Sequence, residues 1–585
     1  MSLKLKGVAA AHGIAIAPLV HFHGDLAYIP MRALGSADDV AVEVARLEEA
    51  IGQAAGAILR LSGELRPDLS DHDMRIYDAQ LTLLHDATLK REFVRTIETD
   101  RVNVEVAIQR VVSRYEQIFE GMEDVALRER AADLRDVGRQ ILSVLLERQR
   151  SVFTAGGQDY VFAAEEFLPS DAGLVDRKHL KGIVTVRGGK YSHGAILARS
   201  MGIPAVVAVD ELMQKVQSGT RVVLDGESGI LIAEPDAEEV DRYTQLAAEQ
   251  AEAERRVFEV RYLSARTPDG QLVRLLANVE STRDLGSVEQ EIVDGIGLFR
   301  TEFAFMERRQ FPTEDEQVAL YRQAIEWADG KVVTFRTLDV GGDKPLSYFK
   351  TPEERNPVLG WRGLRISLDM PDLFYTQIRA LLRASAGSTA RVLLPMVTNV
   401  EEVRRCRAVV EEIRGDLEAA DDVECGTVEL GVMVEIPALV HVLEHVLPLV
   451  DFVSVGTNDL VQYLLAVDRD NPRIAAMYTP YHPAVLHTLA QIAEITGRHG
   501  KSVSICGEIA GDHYFTPLLI GLGFRELSMA PVFLPRVKLM VRTYGIEECE
   551  SLARQALDQP DARAVRALAR DKAKAGWSSF LAGGS

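Results

Sequence analysis

The sequence predicts an α/β protein with a C-terminal (β/α)8 barrel and an N-terminal α/β domain interrupted by an inserted α-helical bundle. Three observations carry that expectation. Eight short apolar runs between Leu272 and Met529 each end in polar residues and leave room for a helix before the next, the order of a closed β-then-α barrel. From about Ser36 to Glu147 apolar residues recur at spacings of three and four, as on helices that pack together. Strand-like sequence lies on both sides of that helical stretch, so the two flanks read as one domain.

Taken in order, residues 3–24 run or alternate apolar around Gly7 and Gly13, as short strands do. Val44, Leu47, Ile51, Ala54, Ile58 and Leu61 then mark one face of a long helix. Val104, Ile108, Val111, Tyr115 and Ile118 mark another, and Leu127, Ala131, Leu134, Val137 and Ile141 a third, with a further helical segment around Ile76–Leu84. Strands resume at Tyr160–Ala164, Gly182–Val186, Ala205–Ala208 and Arg221–Gly226. The stretch from Glu234 to Ala265 is charged and rich in Ala, Glu and Arg, an exposed linker helix. The eight barrel strands are expected at Leu272–Ala277, Gly295–Phe299, Val332–Phe335, Val392–Pro395, Leu430–Val434, Phe452–Val455, Ser502–Ile505 and Glu526–Met529. The expected domains are therefore 1–35 with 149–233 (α/β), 36–148 (bundle), 234–265 (linker) and 266–585 (barrel).

At 585 residues, with 47% hydrophobic and 26% charged residues, the chain has the makeup of a globular protein with ample core. A net charge of -21 disfavours nucleic acid or an anionic membrane as a main partner. Cys406, Cys425, Cys506 and Cys549 lie far apart without metal-type spacing, which fits a reducing, cytoplasmic setting. Residues 1–6 have no long apolar core behind them, and no run of about eighteen apolar residues occurs, so neither a signal peptide nor a membrane span is expected.

One stretch stands apart: Gly188-Gly189-Lys190-Tyr191-Ser192-His193-Gly194-Ala195-Ile196-Leu197-Ala198-Arg199. It follows a buried-strand pattern, and Ser192 is a good N-cap for the helix that follows. His193 then sits in the first turn, beside unpaired N–H groups and the positive end of the helix dipole. There an imidazole is biased toward its neutral, nucleophilic form, and a phosphoryl group on it would meet suitable donors. A histidine that merely hydrogen-bonds locally at a helix start fits this stretch equally well.

In a barrel, reacting residues gather at the C-terminal strand ends. Those ends carry Asn278, Arg300, Arg336, Glu435, Asn458-Asp459, Cys506 and Ser528. Guanidinium groups match carboxylate and phosphate with paired hydrogen bonds, and Arg362 and Arg469 add two more. Each arginine alone reads as a rim ion pair; four together point to an anionic substrate. Glu435 and Asp459, ending adjacent strands, form a hard oxygen pair suited to Mg²⁺. Nothing resembles a nucleotide-phosphate loop, since Gly341-Gly342-Asp343-Lys344 is too short and wrongly ordered. A cysteine such as Cys506 is more often a packed small hydrophobe, and only its company makes it a candidate acid or base.

The stretch G-G-x-x-S-H-x-A-I-x-A-R-x-x-G-I-P-A around His193 resembles the phosphohistidine signature of the phosphoenolpyruvate-utilising enzymes. Gly297–Phe303, Thr337–Lys344, Asn356–Arg362, Val434–Pro437, Gly456–Leu460, Cys506–Glu508 and Arg130–Asp136 are similar, in order, to the motifs of the Enzyme I family of the sugar phosphotransferase system. The resemblance covers nearly the whole chain. It implies that Arg300, Arg336, Lys344, Arg362, Asn458, Asp459 and Arg469 hold phosphoenolpyruvate, and that Glu435 and Asp459 hold Mg²⁺. It implies further that Cys506 protonates the enolate carbon and that His193 takes the phosphoryl group. His193 would pass it to a histidine of an HPr-type phosphocarrier protein docked on the bundle. A homodimer joined through the barrel is implied as well.

Three positions depart from the family pattern: Gly194 where threonine or alanine is usual, Leu168 where many members have a threonine that bonds the active histidine, and Gln80 in place of a histidine at the carrier-binding face of some members. Two other readings compete. A phosphoenolpyruvate synthase or pyruvate phosphate dikinase relative needs a large ATP-binding domain, and the region before the linker is already taken up. A non-catalytic phosphorelay or scaffold protein would be expected to have lost some of the rim arginines, acids or cysteine, and all stand.

Overall fold

A computed structural model describes residues 2–581 except 23–30, 66–70, 121–124, 147–156, 190–191, 307, 309, 342–345, 347, 350–353, 421–423, 470 and 472. The chain divides into two compact units, Met1–Ala251 and Glu252–Ser585.

The first unit opens with β1 (Leu3–Lys6), β2 (Val8–Ala11) and β3 (Ile14–His21). Five helices follow: Ala37–Leu65, Asp71–Leu84, Ala87–Asp100, Val104–Glu120 and Val125–Leu145. The chain then returns to strands β4 (Tyr160–Ala164), β5 (Leu180–Thr185), β6 (Ala205–Val207), β7 (Arg221–Asp225) and β8 (Ile230–Ala233). The eight strands form one sheet in the order β1-β8-β7-β3-β4-β5-β6-β2. β3 to β6 pair in parallel, the other pairs antiparallel. β1 and β2 are consecutive in sequence yet lie at opposite ends of that order, so the sheet curls until Gly7 joins its two edges. A Cβ at Gly7 would lie 2.5 Å from the Val207 carbonyl oxygen, so only glycine fits this junction.

The interrupted α/β domain and its inserted bundle are as the sequence predicts. Three elements escape that reading, one of them the short helix Leu212–Lys215. The helix Ala87–Asp100 carries Leu89, Phe93 and Ile97 on its buried face, and Asp86 caps it by accepting from Thr88 N and Leu89 N. β8 follows β7 after a short turn and pairs with it antiparallel. The bundle and one face of the sheet share a core: Leu47, Ile58, Phe93, Ile108 and Val137 lie in one buried cluster with Tyr160, Phe162, Phe167 and Leu197.

The helix Ala237–Val260, shorter at both ends than the expected linker, runs from the first unit into the second. The second unit contains β9 (Arg274–Val279), β10 (Gly295–Arg300), β11 (Val332–Arg336), β12 (Thr389–Leu394), β13 (Thr427–Val434), β14 (Phe452–Val455), β15 (Ser502–Ile505) and β16 (Glu526–Met529). All pair in parallel, and β16 pairs with β9 to close the barrel. Each strand overlaps one of the eight expected runs. Inside, Leu298, Leu393, Met433, Phe452 and Cys506 form a compact plug. At the N-terminal mouth Arg391 pairs with Glu429 at 2.9 Å and Glu526 at 3.3 Å, its guanidinium 4.9 Å from the centre of the Phe452 ring. These pairs close the bottom, so the C-terminal mouth is the open one.

Candidate active sites

The C-terminal mouth holds a cavity of about 170 Å³ lined by Leu298, Arg300, Arg336, Arg362, Met433, Glu435, Gly456, Asn458, Asp459, Arg469, Cys506, Gly507 and Glu508. Every barrel residue expected from the sequence to bind or react lines it, except Lys344, which falls outside the described residues. Arg300 and Arg336 end β10 and β11, in register beside one another. Glu435 follows the last residue of β13.

Asp459 corrects the sequence reading. It does not end β14 but lies in the first turn of the helix Thr457–Leu465. The short turn at Gly456 brings it back over the strand ends, where Arg362 Nη2 reaches its Oδ2 at 3.3 Å.

The charges are paired within the wall. Arg336 bonds Glu302 and lies 3.0 Å from Asp339. Arg362 donates to the same Asp339 at 3.2 Å. Arg300 pairs with Glu280 at 2.5 Å. Burial works against the charge on Arg336, but Glu302 and Asp339 outweigh it, so its pKa is raised; Asp339 and Asp459 do the same for Arg362. Glu302, Asp339, Glu435 and Asp459 are all buried, against two buried guanidinium groups, Arg336 and Arg362. The crowding falls on Glu435, whose pKa is pushed up by burial first and then by Asp459 and Asp339, so that its charge is held down. Glu435 is held by the backbone N–H of Met396, a residue in the left-handed region at φ 57°.

Cys506 follows β15. Burial pushes its thiol up to about 11, so it carries its proton at neutral pH. Its Sγ–H points to the Val455 carbonyl at 3.5 Å. Asn278 donates to the Cys506 carbonyl at 3.1 Å and accepts from Ser528 at 2.6 Å, so two other rim residues fix the cysteine's backbone. Asn458 and Glu508 exchange two bonds, at 3.0 and 2.9 Å, tying the start of the helix Thr457–Leu465 to the turn after β15.

In the first unit, the strand β5 and the turn at Gly188, at φ 121°, lead to the helix His193–Ser200. His193 is its first residue, as expected. Ser192 occupies the N-cap position but makes no side-chain cap bond; its Oγ instead donates to the Gly189 carbonyl at 2.9 Å, bracing the turn. The His193 Nδ1 lies 3.2 Å from Asp133 Oδ1 on the helix Val125–Leu145. Asp133 lies in the Arg130–Asp136 motif, where nothing in the sequence marks it for a role. A tertiary contact of this kind leaves no periodic trace in sequence.

The three departures have structural counterparts. A Cβ at Gly194 would stand 2.6 Å from the Phe167 carbonyl oxygen, so the Phe167-Leu168 segment lies against the helix start only because residue 194 is glycine. Leu168 is buried, its N–H bonded to Asp171 at 2.9 Å. Gln80 is fully buried and donates to Asp136 at 2.6 Å.

Three regions match models of the phosphoenolpyruvate-utilising enzymes: the N-terminal domain over residues 6–130, the mobile domain over 156–229 and the PEP-binding domain over 254–545. A phosphoenolpyruvate-protein phosphotransferase of Priestia megaterium is 38% identical, covering 94% of this chain and 96% of that protein. One of Listeria innocua is 36% identical over 97% and 98%, and one of Bacillus subtilis 35% identical over 98% and 100%. With its barrel mouth, its histidine helix and these matches along almost its full length, the chain belongs to the phosphoenolpyruvate-protein phosphotransferase family of PEP-utilising enzymes.

Proposed function

We propose that the chain takes the phosphoryl group of phosphoenolpyruvate onto His193, releases pyruvate, and passes the group to a histidine of an HPr-type phosphocarrier as the first step of a sugar phosphotransferase system. One observation carries the substrate reading. Around the cavity, Nε of Arg300, Arg336 and Arg362 is buried without a hydrogen-bond partner among the described residues. A buried unmet donor costs about 1–3 kcal/mol, which a carboxylate or phosphate accepting from it removes. Asn458, Arg469 and Lys344 complete the proposed substrate set. Phosphoryl transfer asks mainly for positioning and charge neutralisation, and an arginine cradle supplies both.

The residues fit Mg²⁺. The buried carboxylates outnumber their guanidinium partners by two, and Asp459 Oδ1 is buried without a hydrogen-bond partner among the described residues. Glu435 and Asp459 would hold the ion, which would supply charge neutralisation to substrate oxygens. Cys506, still protonated, is the proposed donor to the enolate carbon. No helix among the described residues is long and apolar enough to cross a membrane. A cytoplasmic homodimer joined through the barrel completes the proposal, supported by four free cysteines for the compartment and by the family for the dimer.

The test is labelling with phosphoenolpyruvate carrying ³²P, with Mg²⁺ and candidate carriers. Acid-labile label on the chain and then on a carrier is expected, with none from γ-labelled ATP. Equal labelling from ATP overturns the reading.

A further inference from the structure

We propose that Asp133, a residue of the inserted bundle, is the positioning residue for His193: it holds the proton on Nδ1 and so directs Nε2 at phosphorus. The inference rests on the proposed function above.

Three observations meet here. Asp133 is buried, its carboxylate 3.2 Å from His193 Nδ1. A carboxylate facing one ring nitrogen favours the tautomer protonated at that nitrogen and makes the other the nucleophile. Asp133 also does not float: neighbours on its helix are pinned to the α/β domain. Asp136 accepts from Ser170 N at 3.1 Å, and Arg135 bridges Glu116 and Glu166, each at 2.6 Å. Finally, Leu168, whose side chain is apolar and buried, offers the ring no side-chain hydrogen-bonding group. Gly194 lets its backbone press against the helix start. Asp133 is thus a carboxylate of the bundle placed to orient the imidazole.

The chemistry balances. The Nε2 lone pair forms the N–P bond as the bridging P–O bond breaks, and that bond's electron pair leaves with the enolate, which Cys506 protonates at carbon. The ring keeps its Nδ1 proton throughout and gains one positive charge, which faces the Asp133 carboxylate. Transfer to the carrier reverses the charge change.

The full-length chain, with ¹⁵N only at its histidines, gives the first readout. At a pH of about 8, above the usual histidine range, His193, identified by its loss in His193→Ala, is expected to show a proton on Nδ1. A proton on Nε2 in the wild-type chain overturns the proposal without any variant. In Asp133→Asn the tautomer preference is expected to weaken. Labelling by phosphoenolpyruvate should slow roughly a hundredfold or more, with the KM for phosphoenolpyruvate unchanged because the barrel is untouched. Wild-type labelling and an unchanged tautomer in that variant overturn it. If the wild-type chain takes no label from phosphoenolpyruvate, the proposed function fails, and the tautomer still decides the role of Asp133.

Discussion

The barrel mouth and the histidine site solve the placement of charged groups in opposite ways. At the mouth Arg300, Arg336, Glu435 and Cys506 stand at strand ends, Arg362 and Asp459 come from segments beyond them, and each of the two buried guanidinium groups has two carboxylate partners in the wall. Arg336 has Glu302 and Asp339, and Arg362 has Asp339 and Asp459. At His193 the imidazole faces a carboxylate of the bundle, and the two belong to segments brought together by a shared core. The first arrangement keeps its geometry because eight closed strands impose it. The second depends on a seam. A redundant, rigid site is suited to gripping a small anion, and a sparse one to a group that must be handed on.

The largest expected effect separates the two sites outright. His193→Ala should abolish phosphorylation from phosphoenolpyruvate and transfer to the carrier, while calorimetry still shows phosphoenolpyruvate binding to the barrel. Loss of that binding would mean the sites are not separable.

Arg336→Met attacks the redundancy of the mouth. Removing Arg336 takes a guanidinium partner from buried Glu302 and leaves Asp339 paired with Arg362, and breaking such a buried pair costs about 3–5 kcal/mol. A large fall in the barrel's melting temperature should accompany loss of substrate binding. Unchanged stability would show that the wall has a reserve the pairings do not reveal.

Cys506→Ala sharpens the contrast within the chemistry. Turnover should fall roughly a hundred- to ten-thousand-fold for want of the proton donor, while back-transfer from phosphorylated carrier to His193 stays normal. With the thiol pushed up to about 11 by burial, the wild-type donor should also keep its proton from about pH 7 to 9. An exposed cysteine, at about 8.5, would lose it there. Pyruvate release should therefore show no fall in that window that Cys506→Ala removes. A wild-type turnover rate in the variant would reduce the cysteine to packing.

The smallest effect is expected at the seam. Gly194→Ala places a methyl against the Phe167 carbonyl at 2.6 Å, so it should lower the stability of the first unit by about 1–3 kcal/mol, with the barrel unchanged. A neutral or stabilised variant would show that the Phe167-Leu168 segment yields freely.

Much of the barrel site was legible in the sequence because it is written locally. A short apolar run followed by Arg, Glu or Cys fixes both the strand and the residue at its end, as for Arg300, Arg336, Glu435 and Cys506. Asp459 was misplaced because Gly456-Thr457 looks like the continuation of a strand end, whereas the backbone turns there into a helix. Glu302 and Asp339 lie within the motifs Gly297–Phe303 and Thr337–Lys344, but only the fold shows them buried around the guanidinium groups. Asp133 was unreadable for the same reason, since sixty residues of chain separate it from its partner. The helix Ala87–Asp100 could have been found from Asp86 and the spacing of Leu89, Phe93 and Ile97.

The junction at Gly7 has a consequence for how the protein is made. β1, β2 and β3 leave the ribosome first, but their partners β8, β6, β4 and β7 come after the entire bundle. At roughly 5–20 residues per second, those three strands wait on the order of ten seconds with open edges. The bundle, rich in local contacts, can fold in that interval and bring the flanks of the interruption close. The inserted helices thus act as a clasp during synthesis, and lengthening the connections at either side of the bundle should slow maturation of the first unit on the ribosome more than it alters the finished fold.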